Sequence, residues 1–267
     1  MKEDIVVSHK TLSIRISTNG FCFCIYEPTN PDSVQYHHQK ADGGTSLYAN
    51  LCKAIEACPI SLEGINNIKA IVATNDFTII PSEFDEKQYH KIYYRKCFPK
   101  ADTNIEVVAN KLTAQGVTIL FPVEKNIYNR LAQLGNISYY TPASILLGYL
   151  ARKPFPEDKY LLAYYRSEGS LLISMKEGKP ELVNSFETTD NHNQLFYLLS
   201  IWKAQELSQT EDKIYLCGDQ RVEELSMLIA QFIKNRERIN PTALFTANLL
   251  NKIKEIPFDI QALLLCE

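Results

Sequence analysis

Residues 159–188, KYLLAYYRSEGSLLISMKEGKPELVNSFET, contain three apolar runs separated by two short polar turns. Gly169 lies in the first turn, and residues 177–180 (EGKP) form the second. Apolar runs joined by short, glycine-containing turns are typical of β-hairpins. The stretch therefore predicts three consecutive strands, at residues 160–166, 170–175 and 181–186.

An earlier stretch of the chain repeats this layout. Residues 10–26, KTLSIRISTNGFCFCIY, contain an apolar run, a polar turn that ends in Gly20, and a second apolar run. Gly169 follows Gly20 by 149 residues, and the same offset aligns Leu12 with Leu161. The sequence thus predicts that the chain is built from two similar halves, each of which opens with a hairpin.

The segments after each hairpin also correspond. In the first half we expect a loop at residues 28–33, then a third strand (34–39), a helix capped by Ser46 (46–57) and a strand (69–73). In the second half, the third strand is followed by a helix, a strand and a second helix, at residues 190–208, 213–217 and 221–234. Meandering strands followed by alternating helices and strands indicate an α/β fold with mixed sheets and two similar lobes.

Further elements are predicted between and after these two units. They are an apolar run (77–80), a helix (85–97), strands (105–111 and 117–121), a helix (124–134), a strand (137–140), a helix (142–151) and a C-terminal apolar run (260–265) for which a helix is favoured over a strand. Residues 153–158, KPFPED, contain two prolines and no periodic pattern. They mark the predicted boundary between an N-terminal lobe (1–152) and a C-terminal lobe (153–267).

Composition excludes several classes of function. The 267 residues carry a net charge of −3, so there is no basic excess for broad nucleic-acid binding. The N-terminal residues MKEDIVVSHK are unlike a signal peptide, and no apolar run reaches the roughly 18 residues of a membrane span. The seven cysteines form no CxxC pair. We therefore expect a cytoplasmic protein with reduced thiols and without a structural metal site.

The duplicated plan resembles the actin, sugar-kinase and Hsp70 superfamily, the actin-like ATPase fold, which is ribonuclease H-like in each lobe. The whole chain also looks like an uncharacterised bacterial family with this fold. The resemblance implies that the two hairpin turns face nucleotide phosphates across a cleft between the lobes. It also implies Mg-ATP as the possible cofactor.

The phosphate turns of that superfamily are Asp-x-Gly patterns. The matching residues here are Thr18, Asn19 and Gly20 in the first turn, and Ser167, Glu168, Gly169 and Ser170 in the second. In both turns the glycine is present and a hydroxyl residue replaces the aspartate. A neutral hydroxyl can bind a phosphate oxygen but adds no charge for a divalent cation, so efficient phosphoryl transfer is disfavoured.

Other positions could supply the missing acids. The resemblance places the adenosine motif at Gly218 and Asp219, and the linking acid near Asp76. Glu168, Asp76 and Asp219 are therefore the candidate replacement acids. For Arg166 we expect a solvated or cross-strand paired cation, with anion binding as the alternative.

Three functions follow from this reading. The favoured one is a non-catalytic actin-like module that binds an unknown protein partner or a second copy of itself. The second is an active Mg-ATP-dependent kinase or ATPase that uses non-standard acids. The third is a sensor that binds a small molecule or an anion in the cleft between the lobes. Because one fold serves many functions, the fold alone does not choose among them.

Overall fold

The structure, a computed structural model, describes residues 10–27, 30–61, 65, 67–153, 155–239 and 255–265. These residues form two five-stranded sheets, one three-stranded sheet and the helices that surround them. The helices are α1 (Leu47–Ala57), α2 (His90–Cys97), α3 (Lys125–Ala132), α4 (Pro142–Arg152), α5 (Asn191–Ala204), α6 (Val222–Ile229) and α7 (Phe258–Leu264).

The N-terminal sheet has the strand order β3-β2-β1-β4-β8. Its strands are β1 (Thr11–Ser17), β2 (Gly20–Glu27), β3 (Asn30–Lys40), β4 (Asn67–Val72) and β8 (Asn136–Tyr140). The first three strands pair antiparallel, whereas β1, β4 and β8 pair in parallel. Helix α1 provides part of the long connection that a parallel return from β3 to β4 requires.

The C-terminal sheet repeats this topology with the order β11-β10-β9-β12-β13. Its strands are β9 (Lys159–Arg166), β10 (Gly169–Lys176), β11 (Lys179–Phe186), β12 (Lys213–Gly218) and β13 (Asn235–Arg238). Strands β9 to β11 again pair antiparallel, and β9, β12 and β13 pair in parallel. The predicted duplication of a mixed α/β sheet is therefore confirmed.

A small antiparallel sheet is inserted in the first half, between β4 and β8. It consists of β5 (Thr78–Pro81), β6 (Ile105–Leu112) and β7 (Val117–Glu124), in the order β5-β7-β6. Because the second half has only α6 at the corresponding place between its two last parallel strands, this sheet is the main departure from the internal symmetry.

Local capping explains where two of the helices begin. The Ser46 hydroxyl accepts a hydrogen bond of 3.2 Å from the Ala49 amide at the start of α1. The Asp190 carboxylate accepts one of 2.9 Å from the Asn193 amide at the start of α5. Each cap satisfies an amide that has no partner within the helix.

Three predicted segments are wrong in their extent. The helix expected at 85–97 begins only at His90, because Asp85 has a non-helical backbone and its carboxylate is held by His90 and Lys111. The helix expected at 221–234 ends at Ile229 and is followed by β13, whose all-polar sequence NRER lacks an apolar strand pattern. The loop expected at 28–33 gives way to strand β3 from residue 30, and residues 28 and 29 lie outside the described part of the chain.

The core connects the two large sheets. Strand β9 is buried on both faces, with Leu162 and Tyr164 in one apolar cluster and Leu161 and Tyr165 in the other, as the two-residue period of a strand requires. The second cluster lies between β9 and helices α5 and α6. The first cluster also contains residues of β1, α4 and α7, so the C-terminal helix packs into a core that both sheets share.

Candidate functional site between the two sheets

The two hairpin turns that the sequence singles out have matching backbone positions. Strand β1 ends at Ser17 and β2 begins at Gly20, whereas β9 ends at Arg166 and β10 begins at Gly169. Each turn therefore contains two residues, in agreement with the predicted offset. Two-residue turns are the shortest common connections of antiparallel strands.

Both turn glycines are required by the strands next to them. At Gly169, where φ is +129°, an added Cβ would lie 2.0 Å from the Phe186 carbonyl oxygen. At Gly20, an added Cβ would lie 2.6 Å from the Gln39 carbonyl oxygen. Since only glycine permits such close backbone approach, the glycine that both turns share has a packing explanation that does not depend on any ligand.

The contacts that the structure describes for the first turn lie within its own sheet. The Ser17 hydroxyl donates to the Gly20 carbonyl over 2.9 Å, and the Asn19 carbonyl accepts from the Ala41 amide over 3.1 Å. The side chains of Thr18 and Asn19 are exposed. This turn is a polar surface feature at the end of the N-terminal sheet.

The second turn is bound to the opposite sheet by a buried ion cluster. Arg15 of β1 donates through Nη1 and Nη2 to the two carboxylate oxygens of Glu168, over 3.0 and 3.1 Å. Its Nε donates to the carboxylate of Asp259 in α7 over 2.9 Å. The exposed fractions of the three side chains are 6 %, 4 % and 0 %. We call Arg15, Glu168 and Asp259 the Arg15 cluster.

The cluster fixes the ionisation of Glu168. Burial alone would raise the pKa of this carboxyl group, but the charge and hydrogen bonds of Arg15 and the charge of Arg166 outweigh burial and lower the pKa to about 2. Glu168 is therefore an ion-paired carboxylate near neutral pH. Its two oxygens are engaged by a guanidinium group, and this limits what they can offer to a divalent cation.

A second set of contacts ties the same turn to the loop after β4. The side-chain amide of Asn75 donates to the Glu168 carbonyl over 3.0 Å. Its oxygen accepts from Nη2 of Arg166 and from the Ser185 hydroxyl. Asn75 thus links the first sheet to both β9 and β11.

The expectation of a solvated Arg166 is wrong, whereas the cross-strand contact is present. Only 3 % of the residue is exposed, and its Nη2 donates to Ser185 of β11 over 3.0 Å. Within the part of the chain that the structure describes, Nε and Nη1 of this side chain have no hydrogen-bond partner. Burial lowers the pKa of Arg166, yet a guanidinium group remains protonated in proteins.

The remaining predicted residues are divided between two places. The residue Asp76 is exposed beside Asn75, but its carboxyl group is partly desolvated, and this desolvation, followed by the charge of Glu187, raises its pKa. Ser170 is fully buried next to Gly169, and its carbonyl accepts from Ser185. Neither Asp76 nor Ser170 lies in the first turn, and the structure does not bring all ten predicted residues together at one site.

A cleft of about 1000 Å³ contains another group of predicted residues, Ser167, Gly218 and Asp219. The cleft is lined by residues of β1, the end of β9, the β12–α6 loop, the end of β13, and α7 with the segment before it. They are Arg15, Tyr164, Tyr165, Arg166, Ser167, Gly218, Asp219, Gln220, Arg221, Arg238, Ile239, Glu255, Ile256, Pro257, Phe258 and Gln261. Asp219 is paired with Arg221 over 2.7 Å.

Sequence reasoning missed Arg15, Asp259 and Asn75. The signal for Arg15 was its place in the middle of the apolar run TLSIRIS, because a charge on a buried strand needs a partner. Asp259 likewise lies within an apolar helix. Asn75 carries no such signal, since asparagine after a strand is typical of turns.

Two further properties concern metals and membranes. Among the described residues there is no group of three or more His, Cys, Asp and Glu side chains with the geometry to hold a metal ion. In the same part of the chain, none of the helices combines the length and the apolar character needed to cross a bilayer.

Comparison with known structures defines the class of this protein, which has the actin-like ATPase fold. A Bacteroides thetaiotaomicron protein described as having an actin-like ATPase fold and unknown function is 29 % identical, with a TM-score of 0.83 and 100 % of each chain covered. The structure of a PilM-PilN type IV pilus biogenesis complex is 14 % identical, with a TM-score of 0.59 and 96 % of each chain covered.

The chain belongs to the DUF3822 family, whose description is a protein of unknown function; residues 5–235 match the family. This confirms the expected resemblance to an uncharacterised family with an actin-like ATPase fold. No curated protein matches the chain.

Proposed function

We propose that this protein is a non-catalytic member of the actin-like ATPase fold class that acts as a scaffold for a protein partner. The observation that carries the proposal is the Arg15 cluster. Glu168, the candidate replacement acid in the second turn, is held by a guanidinium group from the other sheet. Phosphoryl transfer depends on metal-bound phosphates and precise electrostatic positioning, which an ion-paired carboxylate supports poorly.

The contacts around the cluster also support a fixed arrangement of the two sheets. Arg15, Glu168 and Asp259 connect β1, the β9–β10 turn and α7 without any added ligand. Side chains of the chain itself therefore connect the two sheets. A scaffold that presents a constant surface to a partner benefits from such a connection.

The PilM-PilN complex is compatible with this proposal, because it is a structure of similar fold solved together with another protein. At 14 % identity it supports the fold and does not identify a partner for this chain. Self-association is the other form that the proposed scaffold can take.

The test is thermal unfolding of the purified protein with Mg-ATP, Mg-ADP, and each nucleotide in EDTA, together with an ATP hydrolysis assay. The proposal expects no Mg-dependent rise in melting temperature and no hydrolysis above background. A specific ligand at 100 times its Kd would add about 2.7 kcal/mol to the free energy of unfolding, which is readily detected. A Mg-dependent rise accompanied by hydrolysis would overturn the proposal.

A second candidate function is an active Mg-ATP-dependent kinase or ATPase. It is favoured by Asp76, whose pKa is raised by partial desolvation of its carboxyl group and by the negative charge of Glu187. Two nearby carboxylates can together hold a divalent cation. For this candidate, Asp76→Asn should abolish hydrolysis, whereas Asp102→Asn, at an exposed position, should leave it unchanged.

A further inference from the structure

Edge strands of two different sheets line a second, smaller groove. Strand β5 pairs with β7 and lies at one edge of the small sheet, and β11 pairs with β10 and lies at one edge of the C-terminal sheet. Residues 77–79 beside the first edge and residues 180–183 of the second line a groove of about 340 Å³, together with Val117. We call it the edge-strand groove.

Both strands have backbone groups that their own sheets do not use. On their outer sides, β5 and β11 have no strand partner within the described part of the chain. An edge strand directs N–H and C=O groups away from its sheet, and these groups can pair with another extended chain. Proline removes a donor at Pro81 of β5 and at Pro180 of β11, whereas residues 78–80 and 181–185 contain no proline.

The floor of the groove is apolar and incompletely covered. Phe77, Ile79, Val117 and Val183 line the groove, and each is a partly buried residue that packs against the first apolar cluster of the core. An apolar side chain placed on them would remove further apolar surface from water. A volume of about 340 Å³ is at the lower end of the range for ligand pockets, so it suits a short segment of chain.

The charges beside the groove are acidic. Asp76 lies just before β5 and Glu187 directly follows β11. Their carboxyl groups are close enough that the charge of Glu187, after desolvation, raises the pKa of Asp76. Among the described residues, neither acid takes part in an ion pair. Glu181 adds a third carboxylate to the lining, and Lys179 lies at the opposite end of β11 from Glu187. A cation beside Asp76 and Glu187 would therefore be attracted.

We propose that the edge-strand groove binds an extended segment of a partner protein by β-strand addition, with an apolar side chain on the floor and a Lys or Arg side chain beside Asp76 and Glu187. The four residues of β5 correspond to a paired length of about 13 Å. In this mode of recognition, main-chain hydrogen bonds supply affinity, while the apolar floor and the acids supply specificity. The inference rests on the proposed scaffold function, since it names the surface at which the partner binds.

The test uses random ten-residue peptides displayed on phage and selected against the purified protein in EDTA, so that no metal ion bridges the acids. We expect the recovered peptides to alternate apolar and polar residues and to contain Lys or Arg. Synthetic copies with blocked ends are then titrated by fluorescence anisotropy. Methylation of alternate peptide nitrogens should weaken binding at least about tenfold, because it removes main-chain donors. This change alters the ligand and leaves the fold of the protein untouched.

A charge reversal in the protein tests the acidic end of the groove. Asp76→Lys should weaken binding about fivefold, because it replaces an attraction by a repulsion. A peptide whose basic residue is changed to Glu should bind this variant more tightly than it binds the original protein. The matched control is Glu56→Lys, which makes a reversal of the same size at an exposed position of α1 and should leave affinity unchanged.

Hydrogen exchange locates the bound peptide. Saturating peptide should slow exchange of amides in residues 78–80 and 181–185. The proposal is overturned if no peptide is recovered, if the methylated peptides bind as tightly as the originals, or if protection lies outside β5 and β11. Equal weakening by Asp76→Lys and Glu56→Lys would overturn the assignment of the basic residue to the end of the groove at Asp76.

The outcome is separate from that of the scaffold test. Hydrolysis of Mg-ATP would refute a non-catalytic scaffold, whereas the peptide titration is carried out without metal or nucleotide. Conversely, absence of peptide binding would remove the edge-strand groove as a docking surface, and the thermal unfolding and hydrolysis assays would still decide whether the protein is catalytic.

Discussion

The two hairpin turns share a backbone and differ in what their side chains do. In the first turn, Thr18 and Asn19 are exposed, and the contacts described for the turn stay within the N-terminal sheet. In the second turn, Glu168 reaches across to Arg15, and its carbonyl accepts from Asn75. Among the described residues, the second turn connects the two sheets, whereas the first turn contacts its own sheet.

The comparison separates backbone requirements from side-chain roles. Gly20 and Gly169 occupy the same position because neighbouring strands approach too closely for a Cβ at either place. Asn19 and Glu168 also occupy the same position, yet one is exposed and the other is buried in an ion pair. The presence of glycine in both turns is therefore not evidence that the turns bind phosphate.

The largest expected effect comes from removing the cation that holds the second turn. Arg15→Met leaves two buried carboxylates unpaired, which should lower the free energy of unfolding by about 3–5 kcal/mol. Asn19→Ala, at the position in the first turn that matches Glu168, should change it by less than about 0.5 kcal/mol. Urea denaturation of both variants measures the difference, and equal effects would contradict the contrast between the turns.

The next largest effect is a pH dependence of the free energy of unfolding that is specific to the second turn. Because the folded pKa of Glu168 is lowered to about 2 from its ordinary value of 4.5, its contribution to stability is present above about pH 4.5. That contribution is lost as the pH falls from 4.5 towards 2, and it amounts to about 3 kcal/mol. Urea denaturation between pH 7 and pH 3 should show a smaller acid-induced loss in Glu168→Gln than in the original protein. If both proteins lose the same free energy of unfolding as the pH falls, Glu168 does not cause the acid-induced loss of stability.

The smallest expected difference compares the two glycines. Gly169→Ala forces a Cβ to within 2.0 Å of the Phe186 carbonyl oxygen, whereas in Gly20→Ala the corresponding distance to the Gln39 carbonyl oxygen is 2.6 Å. Both should destabilise the protein, by about 1–3 kcal/mol, with the larger loss at Gly169. Melting temperatures of the two variants test which substitution is more destabilising. A larger decrease for Gly20→Ala than for Gly169→Ala would contradict the expected order.

The sequence predicted the parts of this fold that depend on local patterns. Apolar runs and turn glycines located both hairpins, and the 149-residue offset between Gly20 and Gly169 located the duplication. Strand β13 was missed because its sequence NRER has no apolar alternation, and its place in the sheet is given only by its pairing with β12. Helix α2 was predicted too long because Asp85 forms a tertiary contact with Lys111 that helical periodicity does not reveal.

The candidate site was predictable only in part. Ser167, Gly218 and Asp219 line one cleft, and Glu168 lies at the junction of the two sheets, whereas Thr18 and Asn19 are exposed in the first turn. The partners of Glu168 come from distant segments, and single-sequence patterns carry no information about which charges meet after folding. A charged residue such as Arg15 within an apolar strand indicates that a partner exists, but it does not identify that partner.

The Arg15 cluster also has a consequence for the time course of folding. Arg15 and Asp259 are 244 residues apart in the chain, so their contact closes a loop that spans nearly the whole protein. Such closure is entropically costly, and we infer that it follows the formation of both sheets. Interactions that form after the rate-limiting step slow unfolding and leave the folding rate almost unchanged. We therefore expect loss of the cluster to speed unfolding more than it slows folding.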